Sequence, residues 1–201
     1  MLPGADVPAS ATGAVIVDLA QLRANWQALA RHVAPAECAA VVKADAYGTG
    51  AKRVIPALVQ AGCRSFFVAT PGEAIEARAL APSAAIYVLD GLLPGTAQPL
   101  IAACAVPVLS SVAELKAWRD VTRNGTSAPP AALHVDTGLH RPGMGADDVA
   151  ALARHPTMMR RQQPALGMSH LACADRAAHP MNLEQRREVK RRACPLRGRV
   201  C

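Results

Sequence analysis

Short apolar runs alternate with stretches of helical periodicity along most of this chain. The apolar runs are bounded by turn-forming residues, which predicts buried strands over residues 38–42, 65–68, 85–89, 106–109, 131–135 and 165–169. Apolar residues three and four positions apart predict helices over residues 19–32, 50–61, 72–80, 96–103, 112–122, 146–154 and 181–192. The order of these elements indicates repeated β/α units.

This alternation is typical of a parallel sheet covered by helices. A separate apolar segment, residues 14–17, predicts a further strand ahead of the first helix, and Asp18 is the expected N-cap of that helix. A doubly wound open sheet is the alternative, but no Gly-x-Gly-x-x-Gly follows the first strand. We therefore expect an α/β fold, a partial TIM-type β/α barrel with about six of the eight βα units of a complete barrel.

Charge is concentrated at one end of the chain. The 201 residues are 51% hydrophobic, which is enough for a globular core, and carry a net charge of +7. Residues 186–201 contain seven basic residues and one acid, so the preceding residues are nearly neutral. Only 3% of the residues are aromatic, so no stacking surface for nucleic acid is expected on the folded body. Nucleic-acid binding through residues 186–201 remains a separate hypothesis.

Cysteine spacing and the first residues limit the class of protein further. The six cysteines include no Cys-x-x-Cys pair, so neither a zinc site nor a disulfide framework is expected, and reduced thiols indicate the cytoplasm. Residues 1–13 lack the basic start and apolar stretch of a signal peptide, and no later segment has the 18 consecutive apolar residues of a membrane span. We expect a flexible N-terminus and no membrane partner.

A lysine directly follows the first predicted strand. Residues 41–50 run Val-Val-Lys-Ala-Asp-Ala-Tyr-Gly-Thr-Gly, so Lys43 stands at the strand end, where a barrel keeps its active site. Partial desolvation there favours the neutral amine, which forms Schiff bases with aldehyde cofactors. For a lysine considered alone, an ammonium that simply reaches solvent is the alternative.

Two further segments place polar residues at predicted strand ends. Residues 134–144 run His-Val-Asp-Thr-Gly-Leu-His-Arg-Pro-Gly-Met and contain Arg141. Residues 168–175 run Met-Ser-His-Leu-Ala-Cys-Ala-Asp, contain His170, and are followed by His-Pro-Met-Asn at 179–182. Singly, Arg141 fits a surface ion pair with Asp136, and His170 fits a satisfied core histidine. Together with Lys43, their placement at strand ends favours a site.

These three segments resemble those of the alanine racemases, enzymes with a TIM-type barrel that use pyridoxal 5′-phosphate (PLP). The resemblance extends from about residue 14 to about residue 185. It implies that Lys43 forms the Schiff base with PLP and is a catalytic base, and that Tyr47 contacts the cofactor phosphate. It also implies that Arg141 interacts with the cofactor phenolate and the substrate carboxylate, and that His170 packs at the cofactor ring.

The activity implied by the resemblance is interconversion of L-alanine and D-alanine, an isomerase reaction that supplies D-alanine for peptidoglycan. Such enzymes are expected to be cytoplasmic homodimers, and their opposing base is a tyrosine from the C-terminal β-domain of the partner subunit. The tyrosines here are Tyr47 and Tyr87, so we expect a fragment that lacks the β-domain and is inactive as written. A non-catalytic PLP-binding barrel protein is the alternative.

Several positions depart from the family pattern. His134 stands where many members have a carbamylated lysine that orients the arginine, and Leu139 and Pro142 also differ from the usual residues. The largest departure is the arginine-rich run after Gln185. We therefore predict an incomplete racemase-like barrel over residues 14–185 and a basic, non-native tail over 186–201, and hypothesise a frameshift or premature stop. An incomplete barrel also predicts open sheet edges and an uncovered apolar interior.

Overall fold

A computed structural model describes residues 10–123, 127–154, 164–193 and 199–200 of the chain. Within these ranges the fold is one parallel sheet whose strand order follows the chain order. The strands are β1 (Ala40–Val41), β2 (Ser65–Val68), β3 (Ala85–Val88), β4 (Val106–Leu109), β5 (Ala132–His134), β6 (Leu166–Met168) and β7 (Arg199–Val200). The helices are α1 (Leu19–Val33), α2 (Lys43–Tyr47), α3 (Ala51–Ala61), α4 (Pro71–Leu80), α5 (Ala97–Ala102), α6 (Val112–Thr122), α7 (Ala146–Arg154) and α8 (Pro180–Ala193).

The predicted partial TIM-type barrel is confirmed. Each of the six neighbouring strand pairs is parallel, and a helix separates consecutive strands from β1 to β6. The bounds of β2, β4, α6 and α7 are those that the periodicity predicts. The sequence pattern predicts neither α2 nor β7. The two residues of β7 lie in the arginine-rich segment, where no apolar run marks a strand.

Side chains fix the starts of the helices close to the strand ends. Asp18 caps α1 as predicted, because its Oδ1 accepts hydrogen bonds of 2.9 Å from the backbone N–H groups of Ala20 and Gln21. α4 and α6 each begin with a capping box, formed by Thr70 with Glu73 and by Ser111 with Glu114. These two glutamates therefore lie next to the carboxyl ends of β2 and β4.

Alternate residues of the strands pack into two separate cores. The larger core lies between the sheet and the helices and contains Phe66, Ile86 and Leu133, each at most 1% exposed. The smaller core lies on the opposite, inner face of the curled sheet and consists of Phe67, Val106, Val108, Ala132 and Leu166. Successive residues of a strand point to opposite faces, which explains this division.

The inner face is better covered than the sequence suggests. The buried residues of the inner core are at most 8% exposed, and Tyr87 stacks on Phe67 with ring centroids 4.6 Å apart. The expectation of an uncovered interior is therefore wrong for the central strands. Val41 on the edge strand β1 is 46% exposed. Curling brings the inner side chains of neighbouring strands together, so they cover one another.

Residues 14–17 do not form the predicted strand. Val15 is 89% exposed and Ile16 is 55% exposed. None of the strands in the described ranges pairs with this segment. Apolar and β-branched composition gives strand propensity, but a strand also needs a neighbour to receive its backbone hydrogen bonds. The prediction failed because composition alone does not supply that neighbour.

Helix α8 crosses the predicted boundary between barrel and tail. It runs from Pro180 to Ala193 without interruption, and Val189 within it is 7% exposed. β7 pairs with β6 through Leu166 with Arg199 and Gly167 with Val200. The division at residues 185 and 186 stays a prediction, as does the N-terminal segment 1–13, of which residues 1–9 lie outside the described part.

Four cysteines fall within the described ranges, and all are free thiols: Cys38, Cys63, Cys104 and Cys173. Burial raises the pKa of Cys63 to about 11, and its thiol donates to the carbonyl of Ser65 at 3.3 Å. Among the described residues no three potential metal ligands cluster together. None of the described helices combines the length and apolarity that a membrane crossing requires.

Candidate functional site

The inner positions of the strands lead to three basic side chains at one end of the sheet. Lys43 lies two residues beyond Val41, the last residue of β1, and begins α2. Because side chains alternate along a strand, His134 at the end of β5 lies on the same face as Ala132 of the inner core. His170 lies two residues beyond Met168, the last residue of β6. All three lie at carboxyl ends of parallel strands, which is the end where barrels hold their sites.

These side chains influence one another across the mouth of the curled sheet. Partial burial and the positive charges of Arg141 and Lys43 lower the pKa of His170. Lys43 follows β1 and His170 follows β6, and β2, β3, β4 and β5 lie between these strands in the sheet. Their electrostatic coupling therefore acts across the mouth and not between neighbouring strands. The charges of Lys43 and Arg141 thus both act on His170.

His134 belongs to the same cluster. Burial lowers the pKa of its imidazole, and the charges of Arg141 and His170 lower it further, while Asp136 acts in the opposite direction. The side chain is half-buried. The lowered pKa favours a neutral imidazole. His134 stands where the resemblance to the alanine racemases leads one to expect a lysine.

Lys43 begins a turn of unusual hand. Ala44, Asp45, Ala46 and Tyr47 have φ angles of 52°, 54°, 53° and 55°, which places four consecutive non-glycine residues in the left-handed region. Each such residue costs roughly 1–2 kcal/mol relative to the right-handed conformation. Strain of this kind persists where the surroundings enforce it, and it is concentrated at functional sites. Helix α2 is therefore a left-handed turn, which the helical periodicity of a sequence cannot predict.

Hydrogen bonds enforce the turn from within and from outside. Within it, Ala46 N–H donates to the carbonyl of Val42 and Gly48 N–H donates to that of Ala44, both at 2.9 Å. From outside, the carboxylate of Glu73 accepts from Ala44 N–H at 2.7 Å. Beyond the turn, the carboxylate of Asp45 accepts from Ala51 N–H at 2.7 Å, which ties the turn to the start of α3.

Tyr47 ends the left-handed turn. Its side chain is 64% exposed, whereas Lys43 at the start of the turn is half-buried. Within the described ranges no hydrogen bond or charge interaction joins Tyr47 to Arg141 or His170. The structure therefore places Tyr47 on the same turn as Lys43 without bringing it into the electrostatic cluster.

The loop after β5 folds around the carboxylate of Asp136. Its Oδ1 accepts hydrogen bonds from the backbone N–H groups of Gly138, Leu139 and His140, at 3.0, 3.1 and 3.1 Å. Burial raises the pKa of Asp136, but these N–H groups and the charge of His140 outweigh it and hold the pKa below its usual value. Asp136 pairs with His140 at 3.7 Å. The surface ion pair with Arg141 is not among the described ion pairs.

The same loop closes tightly on its own backbone. Met144 N–H donates to the carbonyl of His134 at 2.8 Å, and Asp136 N–H donates to that of Met144 at 3.0 Å. A Cβ atom at Gly143 would lie 2.8 Å from the nitrogen of Asp136, a separation that side chains do not tolerate. Glycine at 143 thus permits the closure that leaves Arg141 exposed between Asp136 and Met144.

Gln185 connects the two loops that carry Arg141 and His170. Its side-chain Nε2 donates to Thr137 Oγ1 at 3.1 Å and to the carbonyl of His170 at 3.0 Å, and its Oε1 accepts from Ala172 N–H at 2.9 Å. Gln185 is 1% exposed. The sequence does not predict this role, because a glutamine beside arginines is typical of a solvated helix face. One signal in the sequence was available: Gln185 lies four residues before the apolar Val189, and residues with this spacing share one face of a helix.

The fold and the cluster together define a class of protein. It is a parallel β/α barrel protein with a lysine amine, an arginine and two histidines at the carboxyl end of its sheet. Amines bind carbonyl carbons, and guanidinium groups bind carboxylate and phosphate oxygens. This set of side chains suits an anionic ligand that bears a carbonyl group.

Comparison with known proteins identifies the family. The family described as "Alanine racemase, N-terminal domain" matches residues 17–199. The alanine racemase of Rhodospirillum rubrum is 42% identical over 178 residues, which are 88% of this chain and 48% of that protein. The alanine racemase of a Methylobacterium strain is 44% identical over 182 residues, 90% of this chain and 50% of that protein. This chain belongs to the alanine racemase family, and it spans about half the length of the curated relatives it matches.

Solved structures agree with this assignment. The crystal structure of alanine racemase from Bartonella henselae, with covalently bound pyridoxal phosphate, matches with a TM-score of 0.85 at 35% identity, covering 92% of this chain and 54% of that chain. The alanine racemase of Streptomyces coelicolor matches with a TM-score of 0.81 at 31% identity, covering 92% and 51%. The family assignment therefore rests on both sequence and fold.

Proposed function

We propose that this chain carries the PLP-binding half-site of an alanine racemase and serves the PLP-dependent interconversion of L-alanine and D-alanine. The observation that carries the proposal is the placement of Lys43 and His170 after the carboxyl ends of β1 and β6, with the charges of Lys43 and Arg141 both acting on His170. The relative from Bartonella henselae, with its covalently bound pyridoxal phosphate, supports the choice of cofactor.

The residues at the mouth fit this cofactor chemically. Lys43 would bind its aldehyde, since a primary amine is the side chain that does so. The hydroxyl of Tyr47 would donate to the phosphate, and the guanidinium of Arg141 would hold the phenolate. His170, whose pKa is lowered, would present an uncharged imidazole to the ring. When bound, PLP supplies an electron sink that makes the α-hydrogen of an amino acid acidic.

The proposed roles cover proton transfer on one face of the substrate. We propose that Lys43 Nζ removes or returns the α-proton on its face, while Arg141 orients the substrate carboxylate. Racemisation needs a second group on the opposite face. Of the two tyrosines in the sequence, Tyr87 is stacked on Phe67 and Tyr47 is the proposed phosphate contact. We therefore propose that residues 1–201 alone do not racemise alanine.

The proposal extends to partners and location. Alanine is the proposed substrate, a homodimer is the proposed assembly, and the cytoplasm is the proposed compartment. The four free thiols among the described residues are consistent with a reducing compartment. Peptidoglycan synthesis is the proposed use of the D-alanine.

Cofactor trapping tests the half-site. PLP added to the purified chain should give a visible absorbance band distinct from that of free PLP, and borohydride should fix one cofactor to the peptide that contains Lys43. Lys43→Ala should abolish both signals, whereas Lys52→Ala, at an exposed position in α3, should leave them unchanged. Equal labelling of Lys43, Lys52, Lys116 and Lys190 would contradict the proposal.

Hydrogen exchange in alanine separates the half-site from a non-catalytic PLP-binding barrel, the second candidate. The second candidate is favoured because Tyr87 is stacked on Phe67 and Tyr47 is the proposed phosphate contact, so neither is assigned as the second base. With PLP in heavy water, a half-site should replace the α-hydrogen of one alanine enantiomer with deuterium and leave the other unchanged. A non-catalytic barrel should replace neither, and Lys43→Ala should abolish the exchange. L-alanine and D-alanine are supplied in separate samples, and proton NMR measures the loss of the α-hydrogen signal in each.

A further inference from the structure

We propose that Glu73 is a positioning residue for Lys43. Its carboxylate holds the left-handed turn that begins at Lys43 and so determines how the amine is presented to the mouth of the sheet. The inference deepens the proposed function and rests on it, since the role of Lys43 in binding PLP comes from that proposal.

The two carboxylate oxygens of Glu73 have different partners. Oε2 accepts from the backbone N–H groups of Ala69 and Thr70, at 2.6 and 3.2 Å, and so completes the capping box of α4. Oε1 accepts from Ala44 N–H at 2.7 Å, and Ala44 precedes Glu73 by 29 residues in the chain. The second contact is not needed to begin α4. It joins that helix to the turn after β1.

The contact with Ala44 fixes the backbone of Lys43 itself. The N–H of Ala44 belongs to the peptide group that also contains the carbonyl of Lys43, and this group is planar. Holding the N–H direction therefore fixes the torsion ψ of Lys43 and the direction of its carbonyl. Because Ala44 is the first of four left-handed residues, the carboxylate acts where the chain changes hand.

Both oxygens are needed as acceptors. Glutamine in place of Glu73 would keep one acceptor oxygen, and its amide NH₂ would face a backbone N–H donor. In Glu73→Gln, the remaining oxygen can accept from the N–H groups of Ala69 and Thr70, or it can accept from that of Ala44, but it cannot do both. The oxygen that remains is expected to stay with Ala69 and Thr70, which belong to the same helix start as residue 73, so the contact with Ala44 is the one lost, and no cavity is created.

Glu114, in α6, supplies a matched control elsewhere in the fold. It forms the capping box of α6, where its Oε2 accepts from Ser110 N–H at 2.6 Å and from Ser111 N–H at 3.1 Å. Its Oε1 reaches Leu92 N–H at 3.4 Å, in the loop after β3. No candidate site residue lies in that loop. Glu114→Gln therefore removes the same kind of contact at a distance from Lys43.

Hydrogen exchange of the cofactor-free chain tests whether Glu73 holds the turn. Glu73→Gln should speed exchange of the amides in residues 44–48 by about tenfold, as expected when a charge-assisted hydrogen bond is lost. Glu114→Gln should leave these amides unchanged, although both variants lower the urea midpoint of unfolding. Equal protection of residues 44–48 in the two variants would overturn the inference.

Aldehyde labelling tests whether the turn positions the amine. Salicylaldehyde with cyanoborohydride labels accessible amines without needing a phosphate site, and Lys52, Lys116 and Lys190 serve as internal references. Glu73→Gln should change the labelling rate of Lys43 relative to these three lysines, and Glu114→Gln should not. The dissociation constant for PLP should rise about tenfold in Glu73→Gln and stay unchanged in Glu114→Gln.

The outcomes separate this inference from the proposed function. Wild-type chain that forms no borohydride-stable product with PLP would contradict the proposed function, while the exchange and salicylaldehyde measurements would still decide the role of Glu73. Equal effects of Glu73→Gln and Glu114→Gln on Lys43 labelling would show that Glu73 acts on stability alone and would refute the positioning role.

Discussion

The side-chain amide nitrogen of Gln185 lies 3.1 Å from the hydroxyl of Thr137, which precedes it by 48 residues. The same nitrogen donates to the carbonyl of His170 at 3.0 Å. One buried side chain of α8 therefore holds the loops after β5 and β6 together. The relative placement of Arg141 and His170 depends on this helix, although the sequence predicts a tail from residue 186 onwards.

Replacing Gln185 should be costly. In Gln185→Met, the N–H of Ala172 and the carbonyl of His170 lose their buried partner, so we expect a loss of about 2–3 kcal/mol in the free energy of unfolding. Gln27→Met, at an exposed position in α1, should change stability by less than about 0.5 kcal/mol. Urea unfolding measures both variants. Equal stability of the two would show that Gln185 does not hold the loops.

Two neighbouring arginines of α8 should differ in importance. Arg191 and Arg192 both pair with Glu188, but their side chains are 72% and 18% exposed. Arg192 alone of the two also donates to the carbonyl of Asp136, at 2.7 Å. We expect Arg192→Ala to cost about 1.5–3 kcal/mol and Arg191→Ala less than about 1 kcal/mol.

The comparison of these arginines also tests the predicted non-native tail. A tail that does not dock against the barrel predicts that Arg191→Ala and Arg192→Ala are both nearly neutral in urea unfolding. A cost confined to Arg192→Ala would place at least this part of residues 186–201 in the folded structure.

Acid should destabilise the fold through His134. Burial, Arg141 and His170 hold the folded-state pKa of His134 below its ordinary value of about 6.5. As the pH falls through that value, the unfolded chain takes up a proton that the folded chain does not, so the stability present at higher pH is lost progressively towards the folded-state pKa.

Unfolding measured from about pH 7.5 to about pH 5.5 checks this effect, because the histidine charge changes in that range. His134→Gln should make the free energy of unfolding less dependent on pH. The pKa of His170 is also lowered, so part of the dependence should remain until His170 is replaced as well. A pH dependence unchanged in the double variant would contradict the expected role of both histidines.

The same substitution should have opposite effects in two elements. Ala44→Gly relieves left-handed strain at φ 52°, and this outweighs the added freedom of the unfolded chain, so we expect a gain of about 0.5–1 kcal/mol. Ala24→Gly, at an exposed position inside α1, should lose about 1 kcal/mol. Thermal unfolding of the two variants tests the predicted difference in sign.

The sequence was informative where local chemistry and burial act together. Residues 66–68 and 106–109 are continuous apolar runs, and they lie in strands β2 and β4, which are buried on both faces. Asp18 marks the start of α1 because capping is a local interaction. Lys43, Arg141 and His170 could be assigned to one end of the sheet, since carboxyl ends of parallel strands meet there.

The remaining features depend on contacts between distant residues. The composition of residues 43–47 gives no sign of a left-handed turn, because the contact that holds its start comes from Glu73, beyond β2. Gln185 has the composition of a surface residue, and its burial follows from Thr137 and His170. Val15 and Ile16 show the reverse case, in which strand propensity is present but the pairing partner is not among the described strands.

The strand order has a consequence for how the chain reaches its fold. From β1 to β7, each strand pairs with the strand that precedes it in the sequence. During synthesis, every new strand can therefore pair with the strand that was synthesised just before it. The loops closed by such pairs are short, so the entropic cost of forming each pair is low. Folding can follow translation unit by unit, with Lys43 in place early and the Gln185 bridge joining only after both loops it connects have formed.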